Sequence, residues 1–287
     1  MTKLKNSSKY KELATIISQL RVYLQENREE DFWQFKEILV NKNQKIRLGK
    51  VDFEKTDLKK QTLKADQKSG LEKELNALYK KIKNCRNCSL SKTRINLVFG
   101  NGSSESKIMF IGEAPGYDED RQGLPFVGKA GQLLNEILES VGLERKKVYI
   151  ANVVKCHPLL DLECPEKRGN DRPPTKEEIA VCLPILREQI NLIKPRIICT
   201  LGAVAMNALL GINVPLSKAH GKFYPFRVNL QGEPYGEIKL LPTFHPAAIL
   251  RTPSLKNIFI NDLKKVCNVA SSDILIGVPP KRRATCR

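Results

Sequence analysis

The sequence predicts an α/β fold: a three-layer α/β/α domain built on a central, mainly parallel four-stranded sheet, with a helical N-terminal extension. Short apolar runs recur as KIMFIG (107–112), KVYIANVV (147–154), RIICTLG (196–202) and EIKLLPTF (237–244). Helical segments separate them, and strands that alternate with helices pair in parallel and are covered on both faces. Ligands of such sheets sit beyond the carboxyl ends of the strands. The unusual residues of this chain fall there: GEAPGYDED after the first run, Asn152 late in the second, and HPAA after the last.

Taken in order, residues 1–70 are rich in Lys, Glu, Gln and Asn and poor in Gly and Pro. Within them Leu13, Ile16, Ile17, Leu20 and Leu24 form the stripe of an amphipathic helix. From Asn41 to Ser69 charges dominate without apolar periodicity, as in a linker. LEKELNALYKKIKN then reads as a helix running into CRNC at Cys85 and Cys88. The later helices are expected at 129–141, 175–193, 203–210 and 254–267, the second opened by the capping box Thr175-x-x-Glu178. The expected organisation is therefore an extension over 1–70, a catalytic-type domain over 71–270, and a basic unstructured tail over 271–287 that ends PPKRRATCR.

Lys and Arg number 49 against 31 Asp and Glu, a net charge of +18 that favours a polyanionic partner such as nucleic acid. No apolar run reaches the roughly 18 to 20 residues of a membrane helix, and MTKLKNSSKY lacks the apolar stretch of a signal peptide. A cytoplasmic protein with no membrane contact is expected. Disulfides are rare in that compartment, so eight cysteines ask for metal ligation, redox chemistry or burial.

Cys85-x-x-Cys88 after a helix is half of a metal site. Cys199, inside an apolar strand, and Cys267, near a helix end, read as plain buried thiols, and Cys286 adjoins the C-terminus. Cys156, Cys164 and Cys182 remain as partners. Four thiolates hold either zinc or a [4Fe–4S] cluster, and spacing does not choose between them. His157, beside Cys156, reads equally well as a surface residue.

GEAPGYDEDRQGLPFVGKAG (112–131) matches neither GxGxxG nor GxxxxGK[ST], which disfavours nucleotide-phosphate binding. Asn152 in an apolar strand is costly to bury without a partner, which points to a site. Together with CRNC, ANVVKCHP (151–158) and TFHPAAILR (243–251), this segment resembles the family 4 uracil-DNA glycosylases, the iron–sulfur type, over roughly residues 75–268.

The resemblance implies an enzyme that flips uracil out of double- or single-stranded DNA, hydrolyses its N-glycosidic bond and leaves an abasic site for base-excision repair. It implies that Phe126 stacks on the flipped base and that Asn152 reads its edge, a carboxamide offering both a donor and an acceptor. Gly112 and Ala114 line the same pocket. His245 matches the histidine near uracil O2, where a donor stabilises the departing anion. Glu113 occupies the turn where another family carries a water-positioning Asp that family 4 lacks. Glu119 and Asp120 match the family's acidic pair, and Glu119 is the candidate for orienting water or stabilising the sugar cation. SKAHGKFYPFR (217–227), with Lys218, His220, Lys222 and Arg227, matches a DNA-facing basic loop.

For the cluster the resemblance assigns Cys85, Cys88, Cys156 and Cys182. The chain departs from the family in the stretch 157–181, which is longer than usual and whose surplus, near LLDLECPEKR, contains the rival ligand Cys164. A monomer is expected, with the N-terminal extension free to contact a repair or replication protein. Two rivals remain: a relative that links covalently to uracil-DNA, whose Arg-rich, His-containing loop is absent here, and a metal-bearing nucleic-acid binder without hydrolytic activity.

Overall fold

The computed structural model describes residues 70–212, 214–227 and 237–272, all within the unit Asp57–Arg287. The N-terminal amphipathic stripe, the whole linker and all but the first two residues of the basic tail, Cys286 included, lie outside the described residues.

The strands are β1 (Asn101–Gly102), β2 (Ile108–Gly112), β3 (Tyr149–Asn152), β4 (Ile197–Leu201), β5 (Tyr224–Phe226) and β6 (Ile238–Thr243). They form one sheet in the order β1-β3-β2-β4-β6-β5. The four anticipated strands are its centre and run parallel. β1 and β5 extend it at the edges as short antiparallel strands. Both escape a sequence reading because two or three residues show no periodicity.

The helices are α1 (70–82), α2 (Tyr117–Gln122), α3 (Lys129–Ser140), α4 (Lys176–Ile193), α5 (Ala203–Leu210), α6 (Leu216–Ala219), α7 (Pro246–Arg251) and α8 (Leu255–Ser272). The box at the start of α4 forms as expected: Glu178 N–H donates to Thr175 Oγ1 at 3.2 Å and Thr175 N–H to Glu178 Oε2 at 2.8 Å. α2, α6 and α7 were not anticipated. YDEDRQ has no apolar stripe to announce α2, and the other two are barely a turn or two long.

The central strands are apolar on both sides because both faces are covered. On one face Met109, Ile111, Ala151, Ile198 and Leu240 pack against Leu186, Ile190 and Ile193 of α4 and Ala205 and Leu209 of α5. On the other, Phe110, Ile150, Cys199 and Leu241 meet Leu134, Ile137 and Leu138 of α3 and Phe259, Leu263 and Val266 of α8. Phe110 is wholly buried, and its truncation to alanine is expected to cost about 3–5 kcal/mol. α1 buries Leu75, Leu78 and Ile82 and delivers the chain to Cys85. In this three-layer frame the carboxyl ends of β2, β3 and β6 open on one side.

Candidate active site

β2 and β3 are in register so that Gly112 stands opposite Asn152. The pairing continues past both strands, Val153 N–H donating to the Gly112 carbonyl at 2.9 Å and Val154 N–H to that of Glu113 at 3.0 Å. The glycine is needed: a Cβ there would lie 2.4 Å from Asn152 Oδ1 and 2.6 Å from Phe126 Cζ. Asn152 is buried, and its Oδ1 has no hydrogen-bond partner. Nearly all buried polar atoms are paired, and this acceptor, like the hydroxyls of Thr93, Ser104 and Thr200, is left free among the described residues.

Phe126 is held in a conformation that non-glycine residues rarely adopt, with φ of 54°. Its neighbours fix it there. Glu119 Oε1 accepts the N–H groups of Val127 and Gly128 at 2.8 and 2.9 Å, and Oε2 accepts that of Gly116 at 3.2 Å. Arg145 donates to the carbonyls of Phe126, at 3.2 Å, and Pro125. From behind, Gly131 lets α3 approach so closely that a Cβ would fall 1.9 Å from the Phe126 carbonyl oxygen. Both Glu119 oxygens are thus engaged by backbone; the residue grips the loop. Asp120, beside it, is buried and accepts the N–H groups of Ile95 and Asn96.

His245 opens helix α7 as its N-cap. Its Nδ1 accepts the Ala247 N–H at 3.1 Å, which leaves the ring proton on Nε2. Desolvation, aided by the Arg251 charge, lowers its pKa to about 4, so the ring is a neutral donor at pH 7. Its centroid lies 5.6 Å from that of Phe126. Glu113, next after Gly112, is half-buried, and its carboxylate has no hydrogen-bond or ion-pair partner among the described residues. Burial raises its pKa above the ordinary carboxylate value. Ala114 continues the same turn. The structure therefore groups Gly112, Asn152, Phe126 and His245, with Glu113 and Ala114 adjoining, and sets Glu119 behind the Phe126 loop.

Cys85, Cys88, Cys156 and Cys182 line one cavity, together with Leu97, Val154, Val181 and Ile185. Cys164 does not; it is exposed in the surplus loop. Among the described residues, no three Cys, His, Asp or Glu converge closely enough to hold a single metal ion. Four cysteines around one cavity are the donor set that a thiolate-ligated metal site requires, and they fit an iron–sulfur cluster. Burial pushes the Cys156 thiol up to about 11 and raises that of Cys182 as well. Cationic iron would hold both as thiolates. Arg94 donates to Cys156 Sγ at 3.3 Å, an outer contact that sequence reading did not find.

His157 is buried, contrary to the surface reading, with Nε2 2.6 Å from Asp171 Oδ1. This contact stands at the neck of the surplus loop, where Leu160 N–H bonds to the Asn170 carbonyl and Arg172 N–H to that of Pro158, each at 3.1 Å. Beyond the neck Arg168 pairs with Asp118 at 2.9 Å and Glu166 with Arg121, Asp118 and Arg121 being on α2, and the Arg121 and Arg168 guanidiniums lie 3.5 and 4.6 Å from the centre of the Tyr117 ring. In the basic segment Lys218, Lys222 and Arg227 are exposed, whereas His220 is held by Asp262 at 3.1 Å.

A mainly parallel sheet whose strand ends bring together a close-packed glycine, an unpartnered carboxamide oxygen, an aromatic ring and a neutral histidine is the frame of an α/β/α domain with a polar site at its carboxyl edge. Residues 99–264, more than half of the chain, match the model of the Uracil DNA glycosylase superfamily. The chain is 43% identical over 195 residues to a type-4 uracil-DNA glycosylase of Pyrobaculum aerophilum, covering 66% of this chain and 91% of that protein. Type-4 uracil-DNA glycosylases of Archaeoglobus fulgidus and Thermotoga maritima are 39% and 40% identical, covering 67% and 64% of this chain and 91% and 88% of theirs. The chain belongs to the type-4 uracil-DNA glycosylases.

Proposed function

We propose that the protein excises uracil from DNA. The observation that carries this reading is the unpartnered Asn152 Oδ1, buried opposite Gly112 and beside the Phe126 ring. Uracil N3–H would donate to that oxygen while the Asn152 amide donates to O4, with the Phe126 ring stacked on the base. His245 Nε2–H faces O2. As the C1′–N1 bond breaks, its electron pair goes to the uracil ring, and a preorganised neutral donor stabilises the anion in a pocket from which water is largely excluded. Water adds to C1′ and loses a proton; Glu113 would orient that water and accept the proton. Glu119 and Arg145 act earlier, by holding Phe126 in its strained pose.

Cys85, Cys88, Cys156 and Cys182 would hold a [4Fe–4S] cluster that cross-links the end of α1, the segment after β3 and helix α4, with no redox step in the reaction. The partner is uracil-containing DNA, double- or single-stranded, met through the net charge of +18 and the exposed Lys218, Lys222 and Arg227. The protein works as a monomer in a bacterial or archaeal cytosol, and residues 1–70 are free to contact another repair or replication protein.

The test is single-turnover release of uracil from a labelled oligonucleotide by protein whose absorbance near 400 nm has been recorded. Alkali-sensitive cleavage of the uracil strand by wild type, and its loss in Asn152→Ala and His245→Ala, is the expected result. Brown protein that retains DNA without releasing base would overturn it.

A further inference from the structure

Lys155 is fully buried, and a lysine is almost never so unless it is paired. The reaction as proposed makes no use of it. Its main-chain N–H donates to Cys182 Sγ at 3.3 Å, and its carbonyl accepts the Val98 N–H at 2.8 Å. Its ammonium donates to the Asn152 carbonyl at 2.8 Å and to Gln189 Oε1 at 2.6 Å. Gln189 is also fully buried and lies on α4, the helix that carries Cys182. Its amide donates to the Phe99 carbonyl at 3.0 Å and to the Tyr149 hydroxyl at 3.3 Å.

We infer that Lys155 is a positioning residue through which the cysteine cradle fixes the backbone of Asn152. Its bond goes to the Asn152 carbonyl and not to the carboxamide, so it acts on the base only through Asn152. One residue therefore ties a cradle thiol and the base-reading strand end together, and Gln189 ties it in turn to the helix behind the cradle. The positive charge suits the place. Four thiolates carry negative charge out of water, and the charge of Lys155, which lines the same cavity, offsets it where a neutral side chain would not. Lys155 thus serves both ends of one short segment, with the cluster ligands on one side and the carboxamide on the other. The inference rests on the reading of Asn152 as the base reader and of Cys182 as a cluster ligand.

The test uses the anaerobically purified full-length holoprotein and two readouts: persistence of the 400 nm band on exposure to air, and affinity for an oligonucleotide carrying non-cleavable 2′-fluoro-2′-deoxyuridine relative to one without uracil. Lys155→Met is expected to bleach faster and to lose about tenfold or more of its preference for the uracil analogue, the scale on which outer-shell partners of metal sites act. Gln189→Leu, which keeps Lys155 but removes its acceptor and the amide donor to Phe99 and Tyr149, shifts both readouts in the same direction by less, and Gln189→Glu, which keeps the acceptor alone, restores them only in part. If Lys155→Met does not accumulate, the Gln189 pair carries the test. Either readout unchanged in Lys155→Met, or in Gln189→Leu where that pair stands alone, overturns the inference. Wild type without preference for the analogue, or Cys182→Ser with a full band, would instead overturn the reading beneath it.

Discussion

Glu119 Oε1 accepts the Val127 N–H at 2.8 Å, one residue beyond the ring that closes the pocket. With its bonds to Gly128 and Gly116, this makes the carboxylate the hub on which the Phe126 loop turns. Its first consequence is kinetic. Glu119→Ala is expected to slow single-turnover excision by about a hundredfold, because a misplaced binding group near 1 Å out of position costs on that order. Glu119→Gln, which keeps one acceptor, costs less. Equal losses in the two variants would instead assign Glu119 a direct role that needs its charge.

The slot between Gly112 and Asn152 has no room for a methyl group. Gly112→Ala is expected to abolish measurable binding of free uracil, because the added carbon meets Asn152 Oδ1 and Phe126 Cζ at well under van der Waals distance. Melting of the variant, followed by far-ultraviolet circular dichroism, is expected to remain cooperative and to drop by several degrees as Asn152 and Phe126 give way. A variant that binds uracil normally would mean that the base sits elsewhere.

Acidification separates two groups. His245 ionises near pH 4 in the fold and near 6.5 when unfolded. Between those values the unfolded chain binds a proton that the fold refuses, so stability falls as pH drops through the window, by at most about 3 kcal/mol. Urea midpoints at pH 7 and pH 4.5 check this: wild type loses more than His245→Gln. The excision rate, for its part, shows no inflection at 6.5. Its acid limb lies above the ordinary carboxylate value, set by Glu113, whose burial raises its pKa, and it disappears in the slower Glu113→Gln.

Cys182 lines the cradle and Cys164 faces solvent. Cys182→Ser is expected to lose iron and most absorbance near 400 nm, whereas Cys164→Ser keeps both. The reverse pattern would move the fourth ligand into the surplus loop.

How much of this the sequence discloses depends on whether a residue's neighbours are local. Ile108–Gly112 and Ile197–Leu201 are legible because strands buried on both faces read as unbroken apolar runs. α4 announces itself by Thr175 and Glu178, three residues apart. α2 does not, because YDEDRQ has no apolar stripe and its first turn is closed by Glu119 bonding back to the Gly116 N–H. In the site, Phe126, Asn152 and His245 stand inside recognisable segments. The grip of Glu119, the Arg145 clamp and the Lys155–Gln189 pair join residues far apart in the chain, and no spacing rule connects them. One signal was available: Gln189 interrupts the apolar stripe Leu186, Ile190, Ile193, and a polar residue on a buried helix face asks for a buried partner.

The neck of the surplus loop has a further consequence. The chain leaves and re-enters the domain at points stitched together by the Leu159–Asp171 bridge, the bonds beside it and the His157–Asp171 contact. Whatever lies beyond such a seam can grow, shrink or change composition while its ends stay anchored, since closing a longer loop adds little entropy cost. The domain thus carries, next to the helix that holds its base pocket in place, a position where new sequence can be grafted and tried without refolding the enzyme around it.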